Sequence, residues 1–356
     1  MNDPQSKVKS SVSEISEKTA LSFEHTNEEQ IQILDEAVPA AVFHLTRLNG
    51  GTLNRAEIIV PGNSTVMEFG VVEDYEEEPH RHNAFMLILV LHSTIFHKVG
   101  AHTFRLDAGQ ACFINRNVAN AIRYEPDAEV AFVFLQQSFL LKALSVQKFF
   151  PEAGKGMVLR LQSFIANERE EGDETDRIYY DFTPAESEHS VLSSVRTSVE
   201  RLEKNLLENE AGMPFHFIGI LFSLLSLFWS SERYYYTRVS VSSDQKNALA
   251  NKVKQLIEAK HGVTGRAELS ALLHYNGEYL NLVTKQTYRQ TISQLCMDCK
   301  LQHFAKQLKE SSQTIDSLLT VLEITNRTHF FALFRTRYGT TPLKYRQNTA
   351  KREDSR

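Results

Sequence analysis

Four consecutive side chains near the C-terminus, Asn326, Arg327, Thr328 and His329, carry groups that hydrogen-bond base edges. Arg pairs with guanine through two hydrogen bonds and Asn does the same with adenine. Further along stand Arg335, Arg337, Lys344 and Arg346, cations of the kind that hold phosphates. These groups need a scaffold, and the apolar residues around them supply one. Ile315, Leu318, Leu319 and Leu322 follow helical spacing, which predicts one helix with one apolar face. Phe330, Leu333 and Phe334 give the polar tetrad's helix a buried side. Gly339 sits where a helix C-terminus wants a left-handed residue. Thr341-Pro342 reads as a cap followed by proline at the first helical position. Two short helices joined by a turn, with a third behind them, make a helix-turn-helix, whose second helix enters the DNA major groove.

Two other clusters could carry chemistry. His80-x-His82 has His92, His97 and His102 nearby in sequence. A closed metal site wants three or four ligands, and only two histidines are spaced as a pair. The alternative is a set of polar groups at the rim of a small-molecule pocket, with Asn115, Asn120 and Tyr124 beside them. Cys296-x-x-Cys299 followed by His303 lies on one helical face. That pattern serves as three ligands, as a thiol switch, or as small side chains, flanked by Leu295 and Leu301, packed between two helix-turn-helix units. No metal and no cofactor is expected. No nucleophile elbow, His-Glu-x-x-His, phosphate loop or dinucleotide fingerprint occurs, so no enzymatic activity is expected.

The elements that position these groups fall into regions. The 356 residues suffice for two or three domains, and 42% hydrophobic with 23% charged residues describes a globular protein. The net charge of −5 alone argues against nucleic acid. From Asp244 onward, however, 18 Lys and Arg face 10 Asp and Glu, a net of +8 that leaves −13 on the rest. A basic C-terminal part on an acidic body fits a DNA-binding domain joined to a non-binding one. Residues 1–30 are polar, mixed in charge and read as disordered, with no signal peptide. Three cysteines suggest no disulfide framework, so the expected compartment is the cytoplasm. Short strands are expected at Ala41–Leu45, Ala56–Val60, Thr65–Val72, Phe85–Leu91, Thr94–Val99, Ala111–Ile114 and Val130–Leu135, which suggests a small barrel or jelly roll.

Residues 138–236 read as helical around an acidic stretch at 167–190. Within them Leu192, Val195, Val199, Leu202 and Leu206 repeat 3-4-3-4, a seam that serves either a core or a dimer interface. The apolar run 213–229 is short for a membrane span and carries His216, Ser223 and Ser226; a buried or interface helix is expected instead. Thr237–Gln245 has the polar composition of a linker. Leu269, Leu272 and Leu273 mark a helix, His274–Gly277 a turn, and Tyr279, Leu280 and Val283 the next helix, a second helix-turn-helix. Residues 292–309 read as the helix connecting the two.

The run Ile315, Leu318, Leu319, Phe330, Phe334-Arg335 and Gly339-Thr-Thr-Pro342-Leu-Lys-Tyr345-Arg346 resembles the signature of AraC/XylS-family transcriptional regulators. Tyr275, Leu280 and Lys285 continue it more loosely, so the resemblance covers about 246–348. Glu323-Ile324 stands where that family has Gly-Phe, Thr284 where an aromatic is usual, and Arg289 where a glycine is usual. A non-glycine residue at positive φ costs on the order of 1 kcal/mol. The resemblance implies base contacts from Glu278, Asn281 and Leu282 in the first unit and from Asn326, Arg327, Thr328 and Ala332 in the second, with Lys285 on a phosphate. His80, His82, Phe85–Leu91, Leu106-Asp-Ala-Gly109 and Asn115 resemble, more weakly, the cupin sensor domain that often precedes such a unit. Cupin metal sites add a glutamate and a later histidine; those positions here are Met86 and Asn120.

The expected fold is α+β and multidomain. It comprises a cupin-like barrel over 31–137, a helical dimerisation region over 138–236, a linker over 237–245, an all-α double helix-turn-helix domain over 246–348 and a tail over 349–356. The expected function is sequence-specific DNA binding by a transcription activator that answers a small-molecule effector. Its partners would be promoter DNA, RNA polymerase and a second copy of the chain, and not a membrane. Two alternatives stand beside it: a cupin-type metal-dependent enzyme or metal sensor, and a regulator controlled by a protein partner.

Overall fold

The computed structural model describes residues 25–26, 30–31, 38–70, 79–100, 102–147, 154–166, 177–185, 188–241 and 244–353. The chain divides into two compact units, Met1–Ala248 and Leu249–Arg356.

The first unit is built on an antiparallel sheet of eight strands. They are β3 (Ala40–Leu48), β4 (Leu53–Val60), β5 (Asn63–Gly70), β7 (Phe85–His92), β10 (Ala111–Ile114), β12 (Glu129–Leu135), β13 (Ile178–Pro184) and β14 (Tyr234–Ser240), in the order β14-β13-β10-β7-β12-β3-β4-β5. A second sheet holds β8 (Thr94–Val99), β9 (His102–Asp107) and β11 (Asn120–Tyr124) in the order β11-β8-β9. A small third sheet joins β1 (His25–Thr26), β2 (Gln30–Ile31) and β6 (Arg81–His82), with β2 and β6 parallel. The eight-strand order has two ends, so, of the small barrel or jelly roll expected from the sequence, the described strands do not make a closed barrel. Most of residues 1–30, expected to be disordered, lies outside the described residues; His25–Thr26 and Gln30 within it are strand.

Strand β7 explains the architecture. Its sequence FMLILVLH is apolar at successive positions, and every residue from Phe85 to Leu91 is buried. A strand apolar on both faces needs cover on both. On one face Phe85, Leu87, Leu89 and Leu91 join a core with α1 (Gln137–Gln147), α2 (Lys155–Ala166), α3 (Glu188–Glu208) and α4 (Met213–Phe228). Phe217, Leu221, Leu224, Leu225 and Phe228 of α4 are buried there, so the apolar run 213–229 is a core helix. Among the described residues no helix is long and apolar enough to cross a membrane.

The middle of the chain departs from expectation in three ways. Within 138–236, read as helical around an acidic stretch at 167–190, part of that stretch is a strand: β13 pairs with β10 and carries the sheet outward. Of the expected linker 237–245, Thr237–Ser240 belongs to β14, and the Gln245 side chain accepts from the Thr103 backbone N–H at 2.9 Å. The proposed dimer seam is intramolecular. Val195, Val199, Leu202 and Leu206 are each no more than 2% exposed within the core, and Leu192 is half-buried beside the buried Val191. The 3-4 spacing placed a stripe on the helix, and the sheet takes it up.

An ionic cluster seats α3 on the sheet. His44 hydrogen-bonds Glu203 at 2.8 Å and Glu129 at 3.1 Å, while Arg196 donates to both oxygens of Glu129 at 2.7 and 2.8 Å. Burial alone would lower the His44 pKa, but the two carboxylates outweigh it and raise the value to about 9. The hydrogen bond from His44 and the Arg196 guanidinium outweigh desolvation of Glu129 and hold it at about 2.

Candidate nucleic-acid interface

The second unit contains α5 (Gln245–Ala259, entering from the first), α6 (Arg266–Leu273), α7 (Gly277–Tyr288), α8 (Ile292–Glu310), α9 (Ile315–Val321), α10 (Arg327–Tyr338) and α11 (Pro342–Glu353). Helices α6–α7 and α9–α10 form two helix-turn-helix pairs, joined by α8 as expected.

In the second pair the turn after α9 holds Glu323 at φ 52°. The amide of Ile324 bonds the Leu319 carbonyl at 2.9 Å and that of Glu323 bonds Thr320 at 3.0 Å, which satisfies the helix-end carbonyls. Ile324 also packs on the core. The turn expected for glycine is therefore kept without one. Asn326 caps α10, its side chain accepting from the His329 amide at 3.0 Å. Phe330 and Phe334 are fully buried and meet Phe304 of α8 edge-on, with centroids 5.2 and 5.6 Å apart. Gly339 closes the helix at φ 71°, and Tyr345 of α11 lies edge-on to Phe334 at 5.5 Å. The Gly-x-x-Pro-x-x-Tyr pattern is thus a packing device that fixes the back of α10. Its outer face leaves Arg327, Thr328, His329, Ala332, Arg335 and Thr336 exposed.

The first pair uses the same plan with other residues. His274 makes the left-handed turn at φ 56°, Asn276 caps α7 by accepting from the Glu278 amide, and Arg289 closes it at φ 59°. Leu280, Val283 and Thr284 are buried. Thr284 stands where an aromatic was anticipated, and its hydroxyl donates to the Leu280 carbonyl of its own helix at 2.7 Å. Glu278, Leu282, Lys285, Gln286 and Arg289 face outward.

The residues expected to read DNA therefore divide. Asn281 accepts from the Ile292 amide at 3.0 Å and ties α7 to the start of α8. Asn326 is a cap. Arg337 pairs with Asp298 at 2.9 Å, and Arg346 donates to the Leu308 carbonyl at 3.3 Å, so both brace helices rather than extend outward. Lys285, Arg335 and Lys344 are exposed. Arg327 is held by Asp316 of α9 at 2.7 Å. In the first pair the charges are exchanged, since Arg266 of α6 donates to Glu278 of α7. Sequence reasoning missed Arg266, Gln286 and Thr336; the signal for Arg266 was its opposite charge to Glu278, twelve positions on.

Residues 269–348 match the family model described as a helix-turn-helix domain. The C-terminal unit is an AraC-type helix-turn-helix domain. It makes the chain a DNA-binding transcription regulator. Several solved structures are similar at low identity. The C-terminal domain of AraT, a response regulator from Geobacillus stearothermophilus, is 17% identical, with 28% of this chain and 84% of that one covered at a TM-score of 0.26. ToxT from Vibrio cholerae O395 is 9% identical, with 88% and 98% covered at 0.25. The AraC-like transcriptional activator CuxR is 10% identical, with 78% and 86% covered at 0.25. No curated protein sequence matches the chain significantly.

Outside the AraC-type domain, the residues expected at an effector pocket are only partly gathered. His80 Nε2 and His82 Nε2 are 3.0 Å apart, and the His82 ring meets Phe134 edge-on at 5.2 Å. Burial, and then the nearby His80, push the His82 pKa well below its usual value. Its Nδ1 is buried with no hydrogen-bond partner among the described residues. Asn120 lies beside His80 but donates to the backbone carbonyls of His80 and Val118 at 3.3 and 3.2 Å. Asn115 donates to the Phe164 carbonyl at 3.0 Å. Tyr124 is at the other end of β11, opposite Ile95, about 13 Å along the strand from Asn120. Tyr124 is therefore not brought to the histidine pair, and the Asn115 amide is engaged by Phe164. Among the described residues no three His, Cys, Asp or Glu side chains cluster as metal ligands.

The thiols of Cys296 and Cys299 donate to the carbonyls of Thr264 and Ile257. Burial raises both to about 11, so both are protonated near neutral pH and pack as small side chains.

Proposed function

We propose that the chain is a promoter-binding transcription activator that inserts α7 and α10 into successive major-groove segments. One observation carries this reading: both second helices have a buried rear face and an outward face bearing base-edge and phosphate partners. In α10 these are Arg327, Thr328, His329 and Arg335; in α7 they are Glu278, Lys285 and Gln286. Asp316 orients Arg327 for a two-bond contact with guanine. Lys285, Arg335 and Lys344 serve phosphates and set affinity. A first unit of net negative charge and a basic second unit favour DNA contact through the second.

The first unit senses a small molecule near His80 and His82. The support is the buried His82 Nδ1, which a ligand donor or acceptor would satisfy. Two copies of the chain act together on the promoter and recruit RNA polymerase in the cytoplasm, with the copies joined elsewhere than along 192–206. Random-library DNA selection with the purified chain, beside Arg327→Ala at fixed salt, tests the reading. An enriched sequence that relaxes at one position in the variant supports it; no enrichment removes it.

A further inference from the structure

Among the outward residues of α7, Leu282 is out of place. It is 51% exposed in the middle of a stripe whose neighbours are Glu278 one turn before and Lys285 and Gln286 one turn after. The helix already buries Leu280, Val283 and Thr284 on its rear face, so Leu282 adds nothing to that core. The equivalent position of α10, fifty residues on, is Ala332, which is also exposed and apolar between Thr328 and Arg335. Both reading helices thus place hydrocarbon at the centre of an otherwise polar face.

The major groove offers one hydrocarbon feature, the C5-methyl of thymine. Opposite an aliphatic side chain, the amino groups of adenine and cytosine lose a partner that water would have supplied. We infer that Leu282 and Ala332 each select thymine by contact with its methyl group, one position per helix-turn-helix. The inference rests on the proposed DNA reading and adds to it two base preferences that no hydrogen bond explains. Leu282 reaches farther than Ala332, so its position carries the stronger preference.

Deoxyuridine tests this directly, because it keeps every hydrogen bond of thymine and lacks only the methyl. The selected site is remade with deoxyuridine at each thymine in turn, and binding by the full chain is measured at one salt concentration. Loss of one buried methyl should weaken binding about fourfold at the position facing Leu282, and less at the one facing Ala332. In Leu282→Ala the first penalty should shrink to no more than the second, which stays unchanged; in Ala332→Gly the second should vanish while the first remains. Each comparison is a ratio within one variant, so altered stability cancels. Unchanged uracil penalties in Leu282→Ala, or an enriched site that binds equally well with uracil throughout, overturn the inference and leave the DNA reading standing. Failure to enrich any sequence overturns both.

Discussion

The two helix-turn-helix pairs are built to one plan fifty residues apart, and they differ in what holds them. Asn276 and Asn326 cap the reading helices, and Arg289 and Gly339 close them. The rear face of α10 carries Phe330 and Phe334 against Phe304; that of α7 carries Leu280 and Thr284. The second pair is anchored by aromatic volume, and the first by the aliphatic Leu280 and Val283 and a hydroxyl returned to its own helix. The bracing ion pair across each turn is exchanged in sign, Arg266 with Glu278 and Asp316 with Arg327. A fold of this kind therefore tolerates large changes in how a helix is held while its outward face keeps its position. Family spacing is legible where packing is aromatic and faint where it is not.

The sharpest break of this comparison is Phe334→Ala against Thr284→Ala. The first should cost about 3–5 kcal/mol and unfold the second unit near ambient temperature. The second should cost about 1 kcal/mol. Urea melts followed by circular dichroism would show it, and equal losses would mean the anchors are equivalent. Next in size is Arg327→Ala against Glu278→Ala in DNA binding. Loss of Arg327 should cost about 1–3 kcal/mol at one base pair, as read from competition with point-substituted sites. Glu278→Ala should cost less and free Arg266; a larger loss would make the first pair the dominant reader.

Lys285→Ala and Arg335→Ala should each weaken binding without changing the preferred sequence. Each should also reduce the slope of log K against log salt by about 0.9. An unequal change would say that only one helix lies against the backbone. The smallest effect concerns three of the left-handed positions. Arg289→Gly and Glu323→Gly should each raise stability by about 0.5–1 kcal/mol, and Gly339→Ala should lower it by about 1 kcal/mol. Thermal melts decide this; destabilised glycine variants would show that Arg289 and Glu323 make compensating contacts.

Much of the scaffold was legible because its signals are local. Ile315, Leu318, Leu319 and Leu322 repeat with the helix, and Gly339 and Pro342 mark one helix's end and the next one's start. Seven strands were placed from alternation and turn residues. The strands β1, β2, β6, β9, β11, β13 and β14 were missed. β13 shows why: Ile178–Pro184 lies between helices, and what makes it a strand is pairing with β10 and β14, far off in sequence. The stripe through Val195 and Leu206 was legible as a stripe, but spacing does not say whether it meets a sheet or another molecule. Site residues fared similarly. Asn281 and Asn326 have the right chemistry for adenine, and short-range geometry commits their oxygens to backbone amides. Arg266 went unseen because its carboxylate partner lies across a turn.

One feature of the repeat bears on how a promoter is addressed. A pair of identical subunits reads a palindrome, which looks the same from either end. On the proposed reading both readers lie in one chain and present different side chains, Glu278, Leu282 and Lys285 on one and Thr328, Ala332 and Arg335 on the other. Reversing the DNA under them would put every contact against the wrong base. On that reading a single copy of the chain would give its binding site a polarity, so that the bound protein would point toward one neighbouring gene and away from the other.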